Sequence, residues 1–152
     1  SDNITTIEFT DAVSEFRASE DPPGCRLVGR NVEDPERFGV AVFDENGGLT
    51  DIVEKPKDPP SSFAIGGIYL FDETFWSRLD STVGGKEGGV SITDVNKTYV
   101  AEGSASIIDW PDSLWIDCGT PDALLEAAKY AESGRLSPLP CNLREGDYLP
   151  ES

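Results

Sequence analysis

Residues Phe63 to Phe71 (FAIGGIYLF) form an unbroken stretch of apolar, aromatic and glycine residues. Nine residues fall far short of the ~20 needed to span a bilayer. The length suits a strand buried on both faces, which commits the chain to a sheet with material packed on either side. Gly66 and Gly67 are costly inside a strand and mark a place where another backbone or a ligand comes close. Upstream, Phe38–Asp44 and Leu49–Glu54 are β-rich runs around Glu45-Asn46-Gly47-Gly48, the signature of a β-hairpin. Cys25–Asn31 alternates as a strand, and Ser104–Trp110 and Leu114–Ile116 read as short strands.

Helical spacing interleaves with these strands. Ile7, Phe9, Val13 and Phe16 make a weak helical stripe, Asp72 caps a helix through Leu79, and Thr93–Ala101 is helical up to a stop at Gly103. Thr120-Pro121-Asp122 supplies an N-cap, a proline at the first helical position and an early acid. That helix runs from Pro121 to Ser133 and stops at Gly134, with Leu124, Leu125, Ala128 and Ala131 as its apolar side. Asp34–Arg37 is turn-like, Lys57–Ser62 is a Pro-rich loop and Thr82–Gly89 a Gly-rich one. The fold class is mixed α/β, with one domain over 1–135 and an irregular Pro-rich tail over 136–152.

Charge and composition narrow the chemistry. The 152 residues carry 29 acidic and 12 basic side chains, a net charge of −17, which repels nucleic-acid phosphates and anionic membrane surfaces. Histidine is absent, so Ser-His-Asp and Cys-His nucleophiles, histidine-ligated zinc and imidazole acid–base catalysis are excluded. Cys25, Cys118 and Cys141 are widely spaced with no CxxC pair, which favours reduced thiols and a cytoplasmic setting. Methionine is absent too, so residue 1 is expected to follow a removed or more distant start.

Carboxylates, lysines and backbone amides remain as reactive groups. Glu54-Lys55-Pro56 leaves the hairpin's second strand, where a sheet delivers side chains to a ligand crevice. The lysine suits a phosphate and the glutamate suits sugar hydroxyls, while the plainer reading is an exposed charged turn. Asp117 follows a short strand and precedes a helix N-terminus, a setting fit for a Mg²⁺ carboxylate or for a simple turn cap. Trp115 is either a flat wall for a ring or a core residue. Asp2 by itself is an acid at a chain end.

Taken in order, ERFGV (36–40), EKP (54–56), FAIGGIYLFD (63–72), SITDVN (91–96) and WIDCGTPDALLEA (115–127) resemble the "YGV", "EEKP", "GLYFYD", "EITDVN" and "WLDTGT" segments of sugar-1-phosphate nucleotidylyltransferases, above all those acting on glucose-1-phosphate. Ser1-Asp2-Asn3 is similar to the "GDN" that ends a central strand in that family. The resemblance implies part of a Rossmann-like nucleotidyltransferase mixed sheet with flanking helices and a β-hairpin. It further implies Asp2 and Asp117 as Mg²⁺ ligands, Lys55 on the sugar phosphate, Glu54 on the sugar hydroxyls, close approach of the sugar at Gly39, Ile65 and Gly66, and a pocket wall at Phe38 and Trp115. Lys55 and Asp117 would be the catalytic pair.

The departures from the family pattern fall at Ser1 for Gly, Phe38 for Tyr, Gly66 for Thr, Ser91 for Glu and Cys118 for Thr. The family's glycine-rich "GGxGTRL" loop, which cradles the nucleoside triphosphate, has no counterpart among these residues. The chain therefore corresponds to the sugar-phosphate side of the enzyme and is expected to bind a sugar-1-phosphate, to meet a nucleoside triphosphate only when the missing part is supplied, and to turn over weakly or not at all alone. The alternative is a non-catalytic sugar-phosphate-binding or partner-assembling module. Half a sheet exposes an edge and an apolar face, so self-association or a homo-oligomer is expected.

Overall fold

The structure, a computed structural model, describes residues 3–6, 9–18, 24–84, 89–110 and 114–136. Strands β2 (Cys25–Asn31), β3 (Gly39–Phe43), β4 (Leu49–Glu54), β5 (Phe63–Phe71) and β6 (Ala105–Asp109) form one sheet in the order β4-β3-β5-β2-β6. Its pairs are antiparallel except β2 with β6, which run parallel. Parallel neighbours need a long crossover; here it includes helices α2 (Phe75–Gly84) and α3 (Ile92–Ala101). Strand β1 (Asn3–Thr5) pairs antiparallel with β7 (Trp115–Asp117) as a separate two-stranded ribbon. Helices α1 (Phe9–Ala18) and α4 (Pro121–Glu132) complete the described residues.

The β3–β4 hairpin is the one the Asn-Gly signal predicts, closed by Asp44, whose Oδ1 accepts from Asn46 N and Gly48 N, with Gly47 at φ +83. The doubly buried reading of 63–71 holds only for its first half. Phe63–Gly66 are buried, whereas Gly67 is exposed and Ile68–Phe71 are half-buried. The first half lies between β2 and β3, while Ile68–Phe71 pair with β2 alone and so run along an edge.

The paired glycines have a structural explanation. Opposite Val28 and Gly29 the β5 partners jump from Ile68 to Ile65, so Gly66 and Gly67 bulge out of the ladder, Gly67 at φ +71. Gly29 completes the arrangement: a Cβ there would lie 2.4 Å from the Ala64 carbonyl oxygen.

The core gathers Cys25, Leu27, Ile52, Ile65, Val95, Tyr99 and Val100 beneath α3. Tyr99 is fully buried; its hydroxyl donates to Asp72 Oδ1 at 3.1 Å, and the Arg78 guanidinium lies 4.0 Å above its ring. Asp72 also accepts from Thr74 N and Oγ1, tying the turn that enters α2. That helix continues to Gly84, beyond the Leu79 expected. At the start of α3, Ser91 and Asp94 form a reciprocal capping box, which gives a structural use to the serine found where the family has Glu.

Helix α4 begins and ends where Thr120, Pro121 and Gly134 predict, but its covered side differs. Ala127 is buried, with Ala123 and Tyr130 half-buried beside it, while Leu124 and Leu125 are 58% and 56% exposed and Ala128 and Ala131 are exposed. Residues 123, 127 and 130 recur at helical spacing as well as the leucine set does, and among the described residues the alanine stripe is the covered one. No helix of the described residues is long and apolar enough to cross a membrane.

Candidate functional site

Strand β4 ends at Glu54, whose Oε2 accepts a hydrogen bond of 2.6 Å from Thr93 Oγ1 on α3. Gly39, the register partner of Glu54, permits this contact: a Cβ there would stand 3.3 Å from Oε2 and 3.9 Å from Thr93 Oγ1. Lys55 follows at φ +44, the one non-glycine residue of the described chain in the left-handed region, and its N–H donates to the Phe38 carbonyl at 2.9 Å. Such a conformation costs a lysine about 1–2 kcal/mol. Successive side chains of a regular strand point to opposite faces; with the turn at Lys55, both it and Glu54 line one cavity. Among the described residues the Lys55 ammonium makes no ion pair.

This cavity, of about 260 Å³, is bordered on another side by the glycine bulge. A Cβ on Gly66 would lie 3.4 Å from the Trp115 ring, and one on Gly67 would lie 3.1 Å from Asn3 Nδ2. The Trp115 indole N–H donates to Asn3 Oδ1 at 2.7 Å, which couples β1 to the pocket wall, and the Phe38 ring sits 5.2 Å from that of Trp115. Asp117 closes β7 as the Cα partner of Asn3. One of its oxygens accepts from Gly119 N at 3.2 Å, and the other lies 3.8 Å from the Arg37 guanidinium, itself held by Asp34 at 2.7 Å.

Phe38, Gly39, Glu54, Lys55, Ile65, Gly66, Trp115 and Asp117, dispersed over 80 positions of sequence, therefore share one cavity. Asp2 lies outside the described residues. Gly67, marked with Gly66 in the sequence as a point of close approach, lines the same space; sequence reasoning missed Asn3, Arg37, Tyr69, Ile92, Thr93 and Asn96, which line it too. A signal did exist for two of them: Thr93 and Asn96 fall with Val100 on the side of α3 that an amphipathic reading assigns to the core, and polar residues there ask for a reason. Burial, reinforced by the charges of Glu54 and Cys25, pushes the Tyr69 phenol up to about 12, so it stays protonated. A larger cavity of about 640 Å³ lies against the same Arg37, Phe38, Trp115 and Asp117 and extends to Arg30, Thr120 and Glu126.

Among the described residues no three His, Cys, Asp or Glu side chains cluster as metal ligands. A magnesium site asks less, since it uses one or two carboxylates with substrate phosphates and water. Asp117 at the cavity rim fits that need. The smaller cavity thus combines a lysine, a hydrogen-bonded carboxylate, neutral hydroxyl and amide groups and an aromatic wall, the equipment for an anionic ligand rich in hydroxyls.

A mixed α/β sheet with a pocket at its strand ends is the class of structure these elements define. Residues 1–134 match the family model described as Nucleotidyl transferase. The chain is 37% identical over 111 residues to glucose-1-phosphate thymidylyltransferase of Neisseria gonorrhoeae, an alignment covering 72% of this chain and 38% of that protein. It is 31% identical over 126 residues to the low-salt glycan biosynthesis nucleotidyltransferase Agl11 of Haloferax volcanii, covering 83% of this chain and 35% of the relative. A Bacillus anthracis crystal structure, described as a glucose-1-phosphate thymidylyltransferase in complex with a sucrose, superposes with a TM-score of 0.77 at 33% identity over 90% of this chain and 54% of that one. The chain belongs to the nucleotidyl transferase family, and it spans well under half the length of these two curated relatives.

Proposed function

We propose that this chain forms the sugar-phosphate side of a Mg²⁺-dependent sugar-1-phosphate nucleotidyltransferase, whose reaction joins glucose-1-phosphate to a nucleoside triphosphate and releases pyrophosphate in the cytoplasm. The carrying observation is the left-handed turn at Lys55, which puts an ammonium without an ion pair among the described residues and the Thr93-held Glu54 carboxylate into one pocket.

Each group has a task that follows from its chemistry. The Lys55 ammonium pairs with the sugar phosphate at the strand end. Glu54 keeps one oxygen for Thr93 and accepts from a sugar hydroxyl with the other. Gly39, Ile65 and Gly66 bring backbone close to the ring, and Phe38 and Trp115 form its wall. Asp117 and Asp2 are the magnesium carboxylates: Asp2 directly precedes Asn3, and Asn3 is paired with Asp117. A magnesium ion held by these two carboxylates would supply charge neutralisation for the phosphates; the reaction itself joins the sugar-phosphate oxygen to the α-phosphorus of the triphosphate, with pyrophosphate as the leaving group. Phosphoryl transfer of this kind is governed by positioning and charge, so it proceeds without histidine.

Calorimetric titration with glucose-1-phosphate and Mg²⁺ tests the assignment. Lys55→Ala is expected to weaken glucose-1-phosphate at least tenfold while leaving any binding of unphosphorylated glucose unchanged. Equal heats for the unmodified chain and Lys55→Ala, or no binding by either, would overturn the reading.

A further inference from the structure

Asn96 sits one helical turn beyond Thr93 on α3 and lines the same cavity as Glu54 and Lys55. It is 1% exposed, and its Oδ1 is the one buried side-chain oxygen or nitrogen of the described residues with no hydrogen-bond partner. An orphaned buried acceptor is a standing cost of folding, retained only where something else pairs with it. The groups around it explain what that partner must be. No donor of the described residues reaches it: the Thr93 hydroxyl is spent on Glu54, and the Glu54 carboxylate accepts hydrogen bonds but supplies none.

We infer that Asn96 is a specificity-determining residue of the sugar pocket, its Oδ1 receiving a hydrogen bond from a hydroxyl of the bound pyranose. The inference rests on the sugar-phosphate reading and deepens it. Lys55 selects the phosphate, Glu54 takes one hydroxyl, and Asn96 takes a second. A sugar that lacks this second hydroxyl leaves a buried amide unpaired and is rejected, whereas one that carries it satisfies the protein as well as itself. Discrimination of this kind is stronger than any apolar wall provides, because rejection comes from an unmet polar group rather than a lost contact.

The test uses the full chain, the near-isosteric Asn96→Leu variant, glucose-1-phosphate and its monodeoxy analogues. With no sugar present, Asn96→Leu is expected to melt at or above the temperature of the unmodified chain, since it removes an unpaired acceptor. Its affinity for glucose-1-phosphate is expected to fall about tenfold. One monodeoxy analogue should bind the unmodified chain as weakly as glucose-1-phosphate binds Asn96→Leu, and should lose nothing further in the variant. A lower melting temperature for Asn96→Leu would make the amide a structural element and overturn the inference. So would undiminished affinity of the variant, or analogues that all weaken equally in both proteins. Sugar-phosphate binding that Lys55→Ala weakens and Asn96→Leu does not would sink this inference alone; absent binding by the unmodified chain would sink the sugar-phosphate reading with it.

Discussion

Helices α3 and α4 invert the usual placement of residue types. Helix α3 buries Thr93 and Asn96 among Val95, Tyr99 and Val100, while α4 leaves Leu124 and Leu125 more than half exposed and buries Ala127. Polar groups inside and leucines outside both run against the ordinary trend. Their explanations differ. The polar residues of α3 border the cavity of Glu54 and Lys55, so their burial is local to the site. The leucines of α4 have nothing over them among the described residues, so their exposure concerns what the helix faces.

The sharpest way to break this comparison is to remove what anchors α3. Tyr99 is fully buried, packs near Phe71 and donates to Asp72. Tyr99→Ala is expected to destabilise the domain by about 3–5 kcal/mol in urea unfolding, enough to abolish most of an ordinary domain's stability. A loss below about 1 kcal/mol would show that α3 is not the structural centre.

A smaller effect comes from alkali. Burial pushes the Cys25 thiol, in the cluster beneath α3, and the cavity's Tyr69 phenol each up to about 12, from ordinary values of 9.0 and 10.0. With folded values above unfolded ones, the native chain holds protons that the unfolded chain has released. Stability is therefore full below about pH 9 and declines as pH rises toward 12. Urea midpoints at pH 8 and pH 10.5 should show the decline, and Cys25→Ala should shrink it; equal midpoints for the unmodified chain would contradict the burial of these groups.

The smallest effect belongs to α4. Replacing Leu124 and Leu125 together by Ser is expected to change the unfolding free energy by less than about 0.5 kcal/mol per site. Light scattering on the same pair checks the expected self-association, which the double substitution should reduce. A large stability loss would instead place these leucines inside the domain, and α4 would then resemble α3.

Local signals carried much of the fold. The strand at Cys25–Asn31, the hairpin around Asn46-Gly47 and both ends of α4 depend on neighbours in sequence, and each is found where the residues predict it. What escaped is non-local. Which stripe of α4 is covered depends on what lies against it, and the edge character of Ile68–Phe71 depends on how far β3 extends. Motif order drew attention to Glu54, Lys55, Trp115 and Asp117, which do share a cavity. Arg37 beside Asp117, Asn3 against Trp115 and the orphaned Asn96 could not be read this way, because each is defined by a partner distant in the chain or by the lack of one.

The backbone of Lys55 carries one more consequence. Because the hydrogen bond to Phe38 and the hairpin's last rung hold the peptide in its unfavoured twist before any ligand arrives, the strain is met during folding and not during binding. On the proposed reading, an incoming anion would have only the lysine's own rotamers to order, so association should be fast and lose little entropy, with selectivity residing in how quickly the wrong guest leaves.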